Sequence, residues 1–130
     1  MVQGEIIKII RQYIKNLNAG GIIIQYAYLY GSYARNEATP ESDIDVLLIG
    51  DVFDTNDDVI LSKPWLPKFR NDYRIEPIAI GKKRFETDDI CPVIALAKNE
   101  GLLISVKFTK SIVAVNPLFS VLISFWIYGF

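Results

Sequence analysis

At 130 residues the chain is long enough for one domain with a real core, and too short to add a second domain that encloses a substrate. Fourteen Lys and Arg against fifteen Asp and Glu leave a net charge of −1. With no basic block or interleaved aromatic stripe in view, that balance argues against tight binding to a long nucleic acid. The absence of histidine excludes Ser-His and Cys-His nucleophilic catalysis, His-containing zinc sites and His acid catalysis, so any chemistry falls to carboxylates. The single cysteine, Cys91, has no internal disulfide partner, and no basic-then-apolar signal peptide opens the chain. The expected compartment is therefore a reducing one, the cytoplasm.

Taken in chain order, Val2, Ile6, Ile7, Ile9, Ile10, Tyr13, Ile14 and Leu17 recur at helical spacing with charged residues between them. This predicts an amphipathic helix that stops at Gly20-Gly21 and covers a sheet. The run from Ile22 to Tyr30 is rich in β-branched and aromatic residues and stops at Gly31-Ser32, which predicts a buried strand feeding a tight turn. Gly31 lets backbone approach a ligand. The stretch 33–38 has the length of a short helix, whose first N–H groups and the Ser32 hydroxyl would face an incoming phosphate.

Residues 39–42 turn the chain back into Asp43-Ile44-Asp45-Val46-Leu47-Leu48-Ile49, which ends at Gly50. Strand alternation puts Asp43, Asp45 and Leu47 on one face and Ile44, Val46 and Leu48 on the other. Two carboxylates aimed at one spot repel unless something cationic lies between them, and divalent metal is the simplest answer. With a nucleoside triphosphate bound, two oxygen-ligated ions would activate an attacking hydroxyl and take up charge on departing pyrophosphate. Arg74 to Ile80 is the next strand-like run, with Glu76, Ile78 and Ile80 on one face. Glu76 is the candidate third acid, and Asp72 is the reserve.

Gly31-Ser32, ten residues, then Asp43-x-Asp45 and a later strand-borne acid resembles the minimal nucleotidyltransferase (MNT) group of the DNA polymerase beta superfamily. The resemblance spans roughly Ile6 to Ser105. It implies an α/β fold, a small mixed sheet with helices mainly on one face. Within the group the chain is similar to small antitoxin-type members encoded beside a HEPN-domain toxin, which move AMP from ATP onto a tyrosine of that partner. Carried over by residue, Gly31 and Ser32 would hold triphosphate, with Arg35 a candidate phosphate contact. Asp43 and Asp45 would bind two Mg2+ ions, and Glu76 would bind one and help deprotonate the acceptor. Asn36 stands where these proteins often have Gly, and Glu in place of Asp fills the third acidic position.

Other features carry plainer readings. Arg35 is equally suited to pairing with Glu37 or Glu41. Asp51, Asp54, Asp57 and Asp58 form an acidic loop that lacks the glycine and terminal glutamate of a calcium loop. Lys82-Lys83-Arg84 reads as a solvated helix start, and Asp88-Asp89 as the cap of a helix through Ile90 to Ala97 that Gly101 ends. Trp65 and Phe69 are either core or a partner-binding patch. The expected organisation is a nucleotidyltransferase domain over 1–105 followed by an apolar tail over 106–130. No charge occurs from Ile112 onward, and the tail reads as packed, partner-facing, membrane-anchoring or the product of a shifted frame. Two rival functions stand beside protein modification: a non-catalytic antitoxin that silences by covering its toxin, and transfer to a small molecule such as an aminoglycoside.

Overall fold

The computed structural model describes residues 2–105, and the tail from 106 onward lies outside them. The first helix, α1 (Val2–Ala19), buries Ile6, Ile10, Tyr13, Ile14 and Leu17 at the spacing of one helical face and leaves Lys8, Arg11 and Lys15 exposed. It ends in a Schellman motif. Ile22 N–H donates to Leu17 O at 2.9 Å, Gly21 N–H donates to Asn18 O at 3.0 Å, and Gly21 takes φ +89°.

Strand β1 (Tyr26–Tyr30) is shorter than the apolar run ahead of it suggests. Ile22 and Ile24 are buried all the same, because Ile24 N–H donates to the Asn18 side chain at 2.9 Å and holds this segment against the core outside the sheet. No helix follows Gly31. One turn forms and a second Schellman motif closes it: Glu37 N–H donates to Ser32 O at 2.9 Å and Asn36 N–H to Tyr33 O at 3.3 Å. Asn36 sits in the left-handed region at φ +63°, which stops the helix expected over 33–38 after that turn. This accounts for glycine being a natural residue here and for Asn as its best substitute.

Strand β2 (Ile44–Gly50) occupies the middle of a four-stranded sheet of order β3-β2-β1-β4. It pairs antiparallel with β1 and parallel with β3 (Ile75–Gly81). Parallel strands need a crossover, supplied by residues 51–74: a 3-10 turn (Asp51–Phe53), α2 (Asp58–Ser62) and a second 3-10 turn (Lys63–Trp65). After β3 come α3 (Lys82–Thr87), α4 (Pro92–Glu100) and the short edge strand β4 (Leu102–Ile104), antiparallel to β1.

The α4 helix starts later than expected. Asp88 accepts from Ile90 N–H and Cys91 N–H, but Pro92 occupies the first helical turn, and Ile90 is left outside and 90% exposed. The alternation of β2 is as expected, with Ile44, Val46 and Leu48 in the core under α1, while Leu47 and Ile49 join Tyr30, Ile80, Phe85, Ile94 and Ala97 on the opposite face. Burying each of these β2 side chains stabilises the fold by about 2 kcal/mol. The architecture is a small mixed α/β sheet of the polymerase beta-like kind.

The left-handed turn at Asn36 provides a direct test. Asn36→Ala is expected to cost about 1–2 kcal/mol in denaturant unfolding, the penalty for a Cβ in that conformation, whereas Asn36→Gly should hold or gain stability. Equal stability of the two variants would show that the turn does not depend on the left-handed residue.

Candidate active site

The sheet register gathers the acids. Tyr30, the last residue of β1, lies opposite Asp45, and Asp45 lies beside Glu76 in the parallel pairing, so Tyr30, Asp45 and Glu76 form one row across three strands on one face. Asp43 stands exposed, one residue before β2 begins. Gly31 leaves β1 directly beneath this row. It adopts φ +78°, and a Cβ on it would collide with the Asp45 carboxylate, so the position demands glycine for conformation and for space. The Gly-Ser turn and the Asp-x-Asp strand therefore touch.

The electrostatics follow from that crowding. Partial burial, then the charge of Asp43, raises the Asp45 pKa, and Arg35 offsets this weakly. Glu76 is raised by desolvation and by Asp43, which lies within hydrogen-bonding reach of its protonated form, with Asp45 adding to the effect and Arg70 opposing it. Burial, Asp45 and Glu76 together push the Tyr30 phenol up to about 12. Tyr30 is a member of the site that the sequence reading missed, because only the β1–β2 register reveals it.

Four ion pairs form among the described residues, and none includes Asp43, Asp45 or Glu76. Among the described residues no three Asp, Glu, His or Cys side chains stand close enough together to hold a metal ion by themselves. The three acids are thus neighbours whose mutual repulsion Arg35 and Arg70 offset only in part among the described residues. Oxygen donors of this kind suit Mg2+, a hard cation that accepts few carboxylates and keeps waters.

The remaining candidates fall into place around the row. Asp72 is engaged elsewhere: Arg74 donates to it from Nε at 3.0 Å and Nη2 at 2.8 Å, holding its carboxyl below the usual range. Arg74 Nη1 also donates to the Tyr33 hydroxyl and to Pro40 O, each at 3.0 Å, and Arg74 O accepts from Ile44 N–H at 2.8 Å. Arg74 thus ties the end of the crossover to the Gly-Ser turn and to the loop that carries Asp43. Ser32 begins the turn, half-exposed. Arg35 pairs at the rim with Glu37 at 2.8 Å and Glu100 at 3.0 Å, a partner contributed by α4, and makes no pair with Glu41.

The acidic stretch of the crossover has structural uses. Asp57 caps α2 through Val59 N–H at 2.9 Å, Asp51 exchanges hydrogen bonds with Gln25, and the Asp54 carboxylate rests on Gly81. A cleft of about 500 Å3 between Phe53, Asn56, Leu61, Lys83 and Arg84 adjoins Gly81, at the far end of β3 from Glu76. Lys82-Lys83-Arg84 does begin a helix, α3.

Two outcomes are expected from this geometry. Gly31→Ala should lower stability by about 1–2 kcal/mol through the left-handed backbone alone, and should displace Asp45 as well. An unchanged melting temperature would refute the contact. Because the Asp45 and Glu76 pKa values are raised on folding, the folded chain holds protons more tightly than the unfolded one. Their contribution to metal-free stability is therefore lost as pH rises above ~4, the ordinary carboxylate value. Asp45→Asn should raise the melting temperature near neutral pH and have a smaller effect at acidic pH; a pH-independent difference would show that the acids do not repel.

Comparison with known proteins agrees with this arrangement. Over 29 residues the chain is 59% identical to a Methanocaldococcus jannaschii protein named as a candidate protein adenylyltransferase. That stretch is 22% of this chain and 29% of the relative, so the match spans less than a third of the relative's length. A crystal structure of a candidate nucleotidyltransferase from Sulfolobus solfataricus superposes with a TM-score of 0.57 over 78% of this chain and 80% of its own, at 15% identity, a likeness of fold. The family model for the nucleotidyltransferase domain matches residues 7–94, which include the Gly-Ser turn, Asp43, Asp45 and Glu76. The chain belongs to the nucleotidyltransferase domain family.

Proposed function

We propose that this chain is a Mg2+-dependent nucleotidyltransferase that moves AMP from ATP to a hydroxyl of a protein partner, of the kind supplied by a HEPN-domain toxin, with the chain acting as antitoxin. The observation that carries this reading is the row Asp45–Glu76 with Asp43 above a glycine turn. It sets carboxylates for cations beside a turn for phosphate in one place. Gly31 and Ser32 would receive the triphosphate at the turn through backbone N–H groups and the half-exposed Ser32 hydroxyl. Asp43, Asp45 and Glu76 would hold Mg2+, which supplies charge neutralisation for the departing pyrophosphate.

In the transfer, the acceptor oxygen bonds to the α-phosphorus as the bond to pyrophosphate breaks. Glu76, whose affinity for protons is raised by desolvation and by its neighbours, would take the proton from the hydroxyl. The site is open, since Asp43 is exposed and Arg35 lies at the rim. A hydroxyl presented by a folded partner suits such a site better than a small molecule that needs enclosure. No histidine is required, because positioning and charge compensation carry this kind of transfer.

Asp43→Asn or Asp45→Asn is expected to lower transfer of label from ATP about a hundredfold or more while the fold persists. Glu76→Gln should be nearly as damaging. Asp72→Asn should cost stability through its lost pairing with Arg74 and leave transfer largely intact. The acceptor is tested by incubating the chain with ATP, Mg2+ and a co-encoded HEPN-type protein and weighing the product: one or more AMP masses on a tyrosine or serine are expected. A partner that is bound and silenced with no gain in mass would leave a non-catalytic antitoxin as the function.

A further inference from the structure

The crossover between β2 and β3 is divided by charge. Its first part, 51–62, holds Asp51, Asp54, Asp57 and Asp58 and no cation, whereas 63–74 holds Lys63, Lys68, Arg70 and Arg74 against Asp72 alone. Asp72 is already bound to Arg74. Because β3 runs parallel to β2, this basic half returns the chain to the end of the sheet where Asp43 and Glu76 stand.

Arg70 organises the surface there. Its guanidinium lies 5.0 Å from the centre of the Trp65 ring, and Nη2 donates to Tyr73 O at 2.7 Å. Its charge also reaches Glu76, opposing the rise in that residue's pKa. Around it Trp65 is 44% exposed, Leu66 41% and Tyr73 81%, with Lys63 and Lys68 exposed beside them. Phe69 is buried in the main core, so Trp65 and Phe69 divide between the two roles the sequence left open. Although basic and aromatic residues alternate along 63–74, a pattern the composition had not suggested, the loss of Phe69 to the core breaks any ladder on which bases would stack.

We infer that Trp65, Leu66, Arg70 and Tyr73, flanked by Lys63 and Lys68, form the docking surface for the acceptor, and that the segment docked is an acidic protein stretch next to the modified hydroxyl. This rests on the transfer reading above and adds to it how the partner is recognised. Cations supply the complement to Glu and Asp, while Trp65 and Leu66 supply apolar contact at the centre of the surface. Recognition at the end of the sheet that carries the acid row leaves the hydroxyl to reach that row.

The test uses the full chain and three labelled probes: a tyrosine-centred peptide rich in Glu and Asp, the same peptide with Lys and Arg in their place, and a single-stranded oligonucleotide. The acidic peptide is expected to bind best, with affinity falling as salt rises. A Lys63→Glu/Lys68→Glu double variant should weaken it about tenfold, and Trp65→Ala should weaken it as well. Both variants should bind a fluorescent ATP analogue as the unaltered chain does, which shows that they fold. Equal binding of the basic peptide, unchanged affinity in the variants, or tighter binding of the oligonucleotide would overturn the inference. The Asp43→Asn chain should still bind the acidic peptide. If the unaltered chain binds that peptide through these residues yet transfers AMP to no acceptor, the docking surface stands and the proposed chemistry falls.

Discussion

The contact on which the rest depends is the carboxylate of Asp45 resting against the bare Cα of Gly31. It joins the turn after β1 to the start of β2, and it exists only because β1 and β2 are registered so that Tyr30 faces Asp45. A slip of one residue would turn the acid to the other face of the sheet, against Val46 and Leu48 in a core with no buried polar or charged side chain among the described residues. The apolar alternation of β2 therefore enforces the placement of Asp45. Packing energy that has nothing to do with chemistry holds like charges close together, where they would not remain by themselves.

Arg74 works from the opposite side. The four hydrogen bonds of its guanidinium to side chains and backbone, with its own carbonyl receiving Ile44 N–H, fasten the loop before Asp43 to the start of β3. Asp72 is the residue that keeps Arg74 in place. It therefore belongs to the support of the site, which is why an acid only four residues from Glu76 does not share its surroundings.

Most of the fold could be read from the sequence wherever one element faced one environment. The α1 stripe, the alternation of β2 and the placement of Glu76 with Ile78 and Ile80 each depend on local periodicity, which short-range sterics transmit faithfully. Readings failed where a single backbone conformation or a distant partner decided the outcome. Asn36 stopped a helix whose length looked adequate, Pro92 moved the start of α4, and Asn18 drew Ile24 out of the strand. Tyr30 and Arg70 were invisible as site residues for another reason: their roles follow from strand register and from a 24-residue crossover returning to the same end of the sheet. No local pattern encodes that return.

The central place of β2 also shapes how the molecule opens. Its backbone is hydrogen-bonded to β1 on one side and β3 on the other, and its side chains from Val46 to Ile49 are wholly buried. Its amides are shielded until the domain unfolds as a whole, whereas the far part of the turn, Arg35 to Glu37, is exposed beyond the buried Tyr33 and opens at smaller cost. The site thus combines a wall that lasts as long as the fold with a rim that exchanges readily with solvent. Substrate can be admitted and released at that rim while the carboxylates stay where they are.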